Sequence, residues 1–247
     1  MPRPKIKLAV LGQLPPGFDV RELLQWKSQA FEMHPSIESF QLNEDAKGPD
    51  WEYTDAQLAS QLRRPSDCDI LVILVSVKLE HNWYARRLDD NRILFTFYEL
   101  DQILRMFGLP LKNLALRVLY AMTLVYKRYG DRIPLATERT NYAHDETRGC
   151  LFDMNASKID VVHSLHQPEL CEYCVSQLKQ ARVPNETLTA IGRELKKIRK
   201  PLADRIVAFT REHTALSILL SVLSALILGV LASLIASYIF EALRAAT

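Results

Sequence analysis

The chain has 247 residues, of which 48% are hydrophobic, and its formal net charge is +2. This length allows one hydrophobic core of ordinary size, with sequence to spare. The small basic excess does not indicate a nucleic-acid partner, because much of it lies in one stretch beside an apolar segment near the C-terminus. The sequence contains no nucleic-acid recognition motif, and we expect no nucleic acid among the partners.

The first half of the chain alternates between strand and helix patterns. A short apolar strand is predicted at "KIKLAVLGQL", and a helix at "DVRELLQWKSQAFEMH", whose apolar residues recur at roughly helical spacing. "SIESFQL" alternates as a strand does, and "WEYTDAQLASQLRR" predicts a loop followed by a helix. Pro15 and Pro16 interrupt the opening apolar stretch too soon for an export signal, so none is expected.

The strand "DILVILVSVKL" is the most continuous apolar run of the soluble part and is the predicted centre of the sheet. "RILFTFYEL" predicts another strand, and "DQILRMFG" a short helix that Gly108 and Pro110 end. The largely apolar segment "LKNLALRVLYAMTLVYKRYG" is the expected central helix. Together these elements predict an α/β cytoplasmic domain with a mixed sheet over residues 1-178.

Four cysteines in a cytoplasmic chain indicate thiols or metal ligands rather than a disulfide framework. Cys171 and Cys174 form a C-x-x-C pair that a tight turn can direct at one metal ion, and Cys150 is the obvious third ligand. The alternatives are incidental buried thiols or a thioredoxin-like redox pair, although "CEYC" lies late in the chain. Cys68, beside the central strand, is expected in the core.

The fourth ligand is expected to be a histidine. His144, six residues before Cys150, ranks first, and His163 and His166 are substitutes. Three thiolates and one neutral imidazole fill the four positions of tetrahedral zinc and leave none for water. The predicted zinc is therefore structural, and no catalytic residue is predicted.

The order of a short βα unit, two apolar strands, an apolar helix and a cysteine followed by a distant C-x-x-C resembles the archaemetzincin group of zinc peptidases, over about residues 5 to 178. The family carries the motif H-E-x-x-H-x-x-G-x-x-H-C on and after its active-site helix. In this resemblance Gly149 and Cys150 match the end of that motif. Cys171 and Cys174 match the last cysteine pair of the family.

The chain departs from the rest of that pattern. With Cys150 in register, the positions of the three catalytic histidines hold Arg139, Ala143 and Gly149, and Asn155 replaces the second structural cysteine. A zinc peptidase needs two histidines four apart on a helix and a glutamate that activates water, and no H-E-x-x-H occurs in the sequence. The resemblance therefore implies a pseudo-enzyme that keeps a structural metal. No P-loop, G-x-G-x-x-G or G-x-S-x-G is present either.

Residues 179-213 are predicted to form a basic helical stalk with an interruption or kink at Pro201. Apolar residues recur along it at steps of three or four, which marks one helical stripe. These residues are Leu188, Ile191, Leu195, Ile198, Leu202, Ile206 and Phe209. Such a stripe requires a partner, either another copy of the chain or the domain itself.

The segment from Ala215 to Phe240 contains 26 residues without a charge, and about 20 apolar residues in a helix suffice to cross a bilayer core. We therefore predict a single transmembrane helix over residues 214-241, with a buried helix of a soluble domain as the alternative. Seven basic residues lie ahead of it between 193 and 211, whereas Arg244 is the one that follows. This bias predicts a tail-anchored protein of the inner (cell) membrane with its N-terminal domain in the cytoplasm.

Small residues recur every four positions along this helix, at Ser217, Ser221, Ala225, Gly229, Ser233 and Ser237. Small residues let helix backbones approach closely in lipid, so the pattern predicts a homo-oligomer. The alternative is a plain anchor, in which the small residues reflect composition only. In a larger ring the serines would line a polar path.

Two functions from different classes agree with these features. The one we favour is a membrane-anchored sensor and effector. Its domain responds to a protein or small-molecule trigger and controls an oligomerising helix. That helix perturbs or permeates the bilayer, as in bacterial antiphage defence. The alternative is a membrane-tethered, zinc-dependent hydrolase of the peptidase kind. A hydrolase requires a second, exchangeable metal, so the number of bound zinc ions and mutants of the ligands would separate the two.

Overall fold

The computed structural model describes residues 2–64, 66–145, 149–155, 157–166, 168–198, 206–207, 209–210 and 212–245, with side chains as far as Ala236. The chain divides into two compact units, Met1–Arg199 and Lys200–Thr247. The elements of the first unit are β1 (Lys5–Leu11), α1 (Arg21–Leu24), β2 (Glu32–Phe40), α2 (Asp55–Ser60), β3 (Ile70–Val75), β4 (Ala85–Arg87), β5 (Arg92–Thr96), α3 (Leu100–Met106), α4 (Leu111–Arg128), α5 (Val161–His166), α6 (Glu172–Gln180) and α7 (Asn185–Leu195). The second unit contains α8 (Thr214–Ala245).

The strands form one sheet in the order β2-β1-β3-β5-β4. β1 is parallel to β2 and β3, and β3 is parallel to β5, while β4 is antiparallel to β5. The sheet is therefore mixed, as predicted, and β3 occupies its centre. All six residues of β3 are buried, which explains why "ILVILV" is a continuous apolar run and does not alternate.

Helices cover both faces of the sheet. On one face α4 is the central helix, as predicted, and every residue from Leu114 to Tyr126 is buried. On the other face α2 packs through Leu58 against the second side of β3. The hydroxyl of Thr54 caps α2 by accepting a hydrogen bond from the backbone N–H of Gln57.

α4 ends in a glycine turn, because Gly130 has a φ of +71°, where a side chain would be strained. The loop that follows contains Arg139 and Ala143. The register suggested by the resemblance puts these two residues on an active-site helix. That register is wrong, because the helix has already ended before either of them.

The predicted helix over residues 19–34 is wrong for most of its length. The segment is helical over Arg21–Leu24, and β2 already begins at Glu32. Contacts with α4 hold the residues between them: the indole N–H of Trp26 donates to the hydroxyl of Tyr120 at 2.8 Å, and the ring of Phe31 packs edge-on against the Tyr120 ring. This tertiary packing outweighs a weak local preference for helix.

The first unit extends to Arg199, whereas the sequence predicts a boundary at residue 178. The first half of the predicted stripe packs against the domain itself. The stripe residues in this half are buried in the main core: Leu188, Ile191, Leu195 and Ile198. Further along, Ile206 and Phe209 are exposed. The predicted kink at Pro201 and the stripe residue Leu202 lie outside the described residues.

α8 is long and apolar enough to cross a membrane, as predicted. Its segment Thr214–Ala236 has a mean hydropathy of 2.7, and none of it is buried. The predicted small residues all lie on this one continuous helix. Since a turn takes 3.6 residues, each step of four residues advances by about 40° around the axis. The six positions therefore form a winding ridge and not a straight face.

Candidate metal centre

The C-x-x-C pair lies at the start of α6. Cys171 is the N-cap residue of that helix, and its Sγ accepts a hydrogen bond from the backbone N–H of Cys174 at 3.5 Å. The N-terminus of a helix carries a partial positive charge that favours thiolates. The local structure thus directs two sulfurs to one point, at a helix end whose partial charge favours a bound anion.

Backbone pairing brings Cys150 to the same point. The N–H of Leu151 donates to the carbonyl of Glu169 at 2.8 Å, and the N–H of Glu169 donates to the carbonyl of Gly149 at 3.0 Å. Because Glu169 comes two residues before Cys171, this bridge places Cys150 beside the C-x-x-C pair. Gly149 has a φ of +100°, a conformation that favours glycine at this turn.

His144 reaches the centre through a second bridge. Its N–H donates to the carbonyl of Phe152, and its carbonyl accepts from the N–H of Met154, both at 3.0 Å. The Nε2 atom then lies 3.1 Å from the Sγ of Cys174 and 3.5 Å from the Sγ of Cys171. His163 and His166, the substitute ligands, lie on the exposed side of α5 and outside this cluster.

The four ligand atoms fit a tetrahedral metal ion. They all lie within 4.8 Å of one another, and the sulfurs of Cys150 and Cys174 are 3.7 Å apart. Zinc bonds of about 2.3 Å to sulfur and about 2.0 Å to nitrogen imply edges of about 3.8 Å between sulfurs and about 3.5 Å between nitrogen and sulfur. The structure therefore brings together the four residues that the sequence predicts as ligands, with spacings that suit zinc.

Two of the sulfurs are deep in the domain, since Cys150 and Cys174 are at most 1% exposed. The hydrogen bond between the two sulfurs lowers the pKa of the Cys150 thiol, and the same bond, together with burial, raises the pKa of Cys174. Binding of a divalent cation has to displace the thiol protons, because the thiolate is the ligand.

Arg117, which no sequence motif marks, contacts the loop of residues 149–155 that carries Cys150, here called the metal loop. This α4 residue is 1% exposed, and its Nη2 donates to the carbonyls of Cys150 and Leu151, both at 3.2 Å. Zn²⁺ with three thiolates would have a net charge of −1, which the buried guanidinium would compensate. The one signal in the sequence is a basic residue in the middle of an otherwise apolar stretch of helix.

Arg117→Met is expected to weaken zinc binding by about 10- to 100-fold, the range found for groups that orient metal ligands. Competition with a chromogenic chelator measures the affinity. Arg92→Met is the control, because Arg92 is also buried and donates to backbone carbonyls, among them those of Ala59 and Leu62 on the opposite face of the sheet, besides its ion pair with Asp89. The control should lower the melting temperature without a change in zinc affinity. Equal zinc affinity in Arg117→Met and the parent would contradict the charge argument.

A cleft of ≈ 390 Å³ lies beside the metal loop, between β4 and the loop that follows α4. Its lining includes Arg87, Met122, Tyr142, Phe152 and Asp153. The guanidinium of Arg87 lies over the ring of Tyr142, 5.4 Å from its centre. Within the described part of the chain, no second group of three or more His, Cys, Asp and Glu side chains could hold a metal ion.

Comparison with solved structures finds an archaemetzincin from Methanopyrus kandleri. The two chains are 16% identical and superpose with a TM-score of 0.42, and the match covers 73% of this chain and 96% of that chain. No protein-family model matches this chain, and no curated protein matches it. A likeness at this level does not assign the chain to a family, so the candidate site rests on its own geometry.

Proposed function

We propose that this protein is a membrane-anchored effector. Its N-terminal domain is held together by a structural zinc ion and does not act as an enzyme; by the resemblance to archaemetzincins it is a pseudo-enzyme. The domain senses a protein or small-molecule trigger and controls self-association of α8, which perturbs or permeates the bilayer. A defence system in which a bacterium kills itself when a phage infects it is the biological setting that this arrangement suits.

One observation carries the structural role of the metal. His144, Cys150, Cys171 and Cys174 supply four ligand atoms from one compact cluster. A catalytic zinc keeps a position for water or substrate, whereas a set of three thiolates and one imidazole leaves no such position. This donor set favours a metal that stabilises the fold.

The apolar helix supports the membrane half of the proposal. The bilayer is the natural solvent for a 23-residue segment, Thr214–Ala236, of which no part is buried. The basic residues ahead of it in the sequence favour a cytoplasmic domain on the inner (cell) membrane. A ridge of small residues then offers the surface through which neighbouring helices associate.

The second candidate is the membrane-tethered hydrolase. The cleft next to the metal loop favours it, because Asp153 and Phe152 of that loop form part of the cleft wall. Hydrolysis by zinc would require a second, exchangeable metal ion with an open position. The described residues of the cleft offer no ligand cluster for one.

One preparation of the full chain in detergent distinguishes the two candidates. We expect one zinc ion per chain by elemental mass spectrometry and no peptidase activity that a chelator removes, since neither a paired set of helix histidines nor a water-activating glutamate occurs in the sequence. Reconstituted into dye-filled vesicles, the same chain should release the dye when it assembles. The matched control is a chain that ends at Arg199, tested in the same vesicles.

Each outcome assigns the chain to one candidate or to neither. Two zinc ions per chain, with hydrolysis that disappears on His144→Ala or with chelator, would support the hydrolase. If the vesicles retain their dye at every protein-to-lipid ratio while the chain is fully inserted, the effector proposal is wrong.

A further inference from the structure

Five exposed basic side chains of the first unit lie on or next to segments that hydrogen bonds join, and we call them the cationic face: Arg3, Lys27, Arg193, Lys196 and Lys197. They come from three segments that are far apart in the sequence. Among the described residues, none of the five is paired with a carboxylate. Like charges gathered without counter-charges repel one another, so such a surface is suited to an anionic partner.

Hydrogen bonds to two consecutive residues draw these segments together. The guanidinium of Arg3 donates to the carbonyl of Ser28 at 3.1 Å, and that of Arg193 donates to the side-chain carbonyl of Gln29 at 3.3 Å. Lys27 immediately precedes them in the chain. The three charges are therefore fixed around one short segment, residues 27–29.

The carboxylate in the middle of this region is not available as a counter-charge. Glu194 is 6% exposed, and it accepts hydrogen bonds from the hydroxyl of Ser28 at 2.7 Å, the backbone N–H of Gln29 at 2.8 Å and the hydroxyl of Tyr120 at 2.6 Å. It thus anchors α7 to the domain and points away from the surface. A shallow depression beside Lys27 also contains Arg3 and one exposed acidic residue, Glu32. The net charge of this region therefore stays positive.

The length of the connecting chain limits how far this face can lie from α8. The face ends at Lys197, and α8 begins at Thr214. A connection of about 16 residues spans at most about 55 Å even when fully extended. The connection has four basic residues, Arg199, Lys200, Arg205 and Arg211, and two acidic ones, Asp204 and Glu212, so it adds a net charge of +2 to that of the cationic face.

We infer that the cationic face binds the anionic headgroups of the membrane into which α8 inserts, so that the domain docks on the lipid surface. This inference rests on the proposed membrane anchoring. Each basic residue near an anionic leaflet strengthens the association by about fivefold. Salt at about 0.1 M screens this attraction for charges more than about 10 Å apart. Docking through Arg3 and Lys27 goes beyond anchoring, because these two residues are remote from α8 in the sequence.

The test uses the full chain in vesicles of phosphatidylcholine with or without phosphatidylglycerol. Lysine acetylation is read by mass spectrometry, with Lys27 as the reporter and Lys47, whose side chain is 66% exposed, as the internal reference. We expect phosphatidylglycerol to lower the labelling of Lys27 relative to Lys47 by at least about fivefold, and high salt to restore it. Lys196 and Lys197 are not used as reporters, because the chain alone holds them near the bilayer.

Two variants with equal net charge sharpen the result. Arg3→Gln with Arg193→Gln should abolish the protection of Lys27, since the loss of two contacts weakens docking by about 25-fold. Arg63→Gln with Arg139→Gln removes two exposed arginines elsewhere and should leave the protection intact.

Several outcomes would overturn the inference. Unchanged labelling of Lys27 on anionic vesicles, with the chain resistant to alkaline extraction, contradicts docking but leaves the membrane anchoring in place. A chain that washes off the vesicles contradicts the anchoring itself. Equal loss of protection in both double variants would show a general charge effect. Protection of Lys27 by a short RNA on neutral vesicles, without protection by phosphatidylglycerol, would assign the face to nucleic acid.

Discussion

Cys174→Ser is expected to remove zinc from the chain and to destabilise the whole first unit, with a smaller effect from Cys171→Ser. A structural zinc site contributes folding free energy directly, and about 10 kcal/mol or more is typical of small zinc-dependent peptides. This domain has its own core, so the free energy of unfolding lost with the zinc is smaller. The loss remains comparable with the free energy of unfolding of an ordinary domain, which is about 5–15 kcal/mol. Cys174 is 1% exposed in the main core, whereas Cys171 is half-buried at its edge.

Thermal unfolding followed by circular dichroism, together with the zinc content of each variant, measures this effect. Cys68→Ser is the control, because Cys68 is a partly buried thiol outside the metal cluster. It should melt within a few degrees of the parent and retain its zinc. A parent that contains no zinc, with both ligand variants melting as it does, would show that the cluster is a group of packed thiols.

Ala225→Leu combined with Gly229→Leu is expected to break the assembly of α8 and to abolish any toxicity of the expressed chain. The change places bulk on the small-residue ridge and keeps the helix apolar, so insertion into the membrane should survive. Nothing lies within 4 Å of a Cβ added at Gly229, so the isolated chain tolerates a larger residue there. At Gly229 a large effect would therefore indicate contact with a neighbouring helix and not a clash within the chain.

The size of the assembly in detergent and dye leakage from expressing cells test this expectation. We expect the dissociation constant of the assembly to rise by about tenfold or more, since about 1.4 kcal/mol of lost packing is sufficient. Leu226→Ile and Leu228→Ile, which lie off the ridge, should change little. An unchanged oligomer that has lost toxicity would place the membrane effect in α8 and the assembly in the domain. An unchanged oligomer with full toxicity would show that the small residues reflect the composition of the helix and do not mediate its association.

The winding of the ridge refines where contact is expected. Rows of residues four apart are inclined to the helix axis, and packing along such rows crosses two helices at an angle of about 40–50°. Helices that cross in this way touch over a short central stretch. Ala225 and Gly229 are the two middle positions of the ridge. This is why this pair is the one chosen for substitution.

The sequence by itself determined the features that depend on local composition or on spacing along the chain. "ILVILV" predicted the buried central strand because both of its faces are covered, and a charge-free run near the C-terminus predicted α8. The C-x-x-C with Cys150 upstream predicted the cysteine cluster, and the nearest preceding histidine, His144, proved to be the one that the fold brings to it. In each case the signal is short-range and chemically distinctive.

The tertiary structure alone decided features that arise between distant segments. Residues 25–31 leave their weak helical pattern because Trp26 and Phe31 find partners on α4. α7 joins the domain because Glu194 is buried among donors from residues 28, 29 and 120. Arg117 meets the metal loop across more than 30 residues of chain, and Arg3 meets Arg193 at one surface through residues 28 and 29. Such contacts form only when the chain closes a long loop. They therefore produce no regular spacing of residues along the sequence from which they could be predicted.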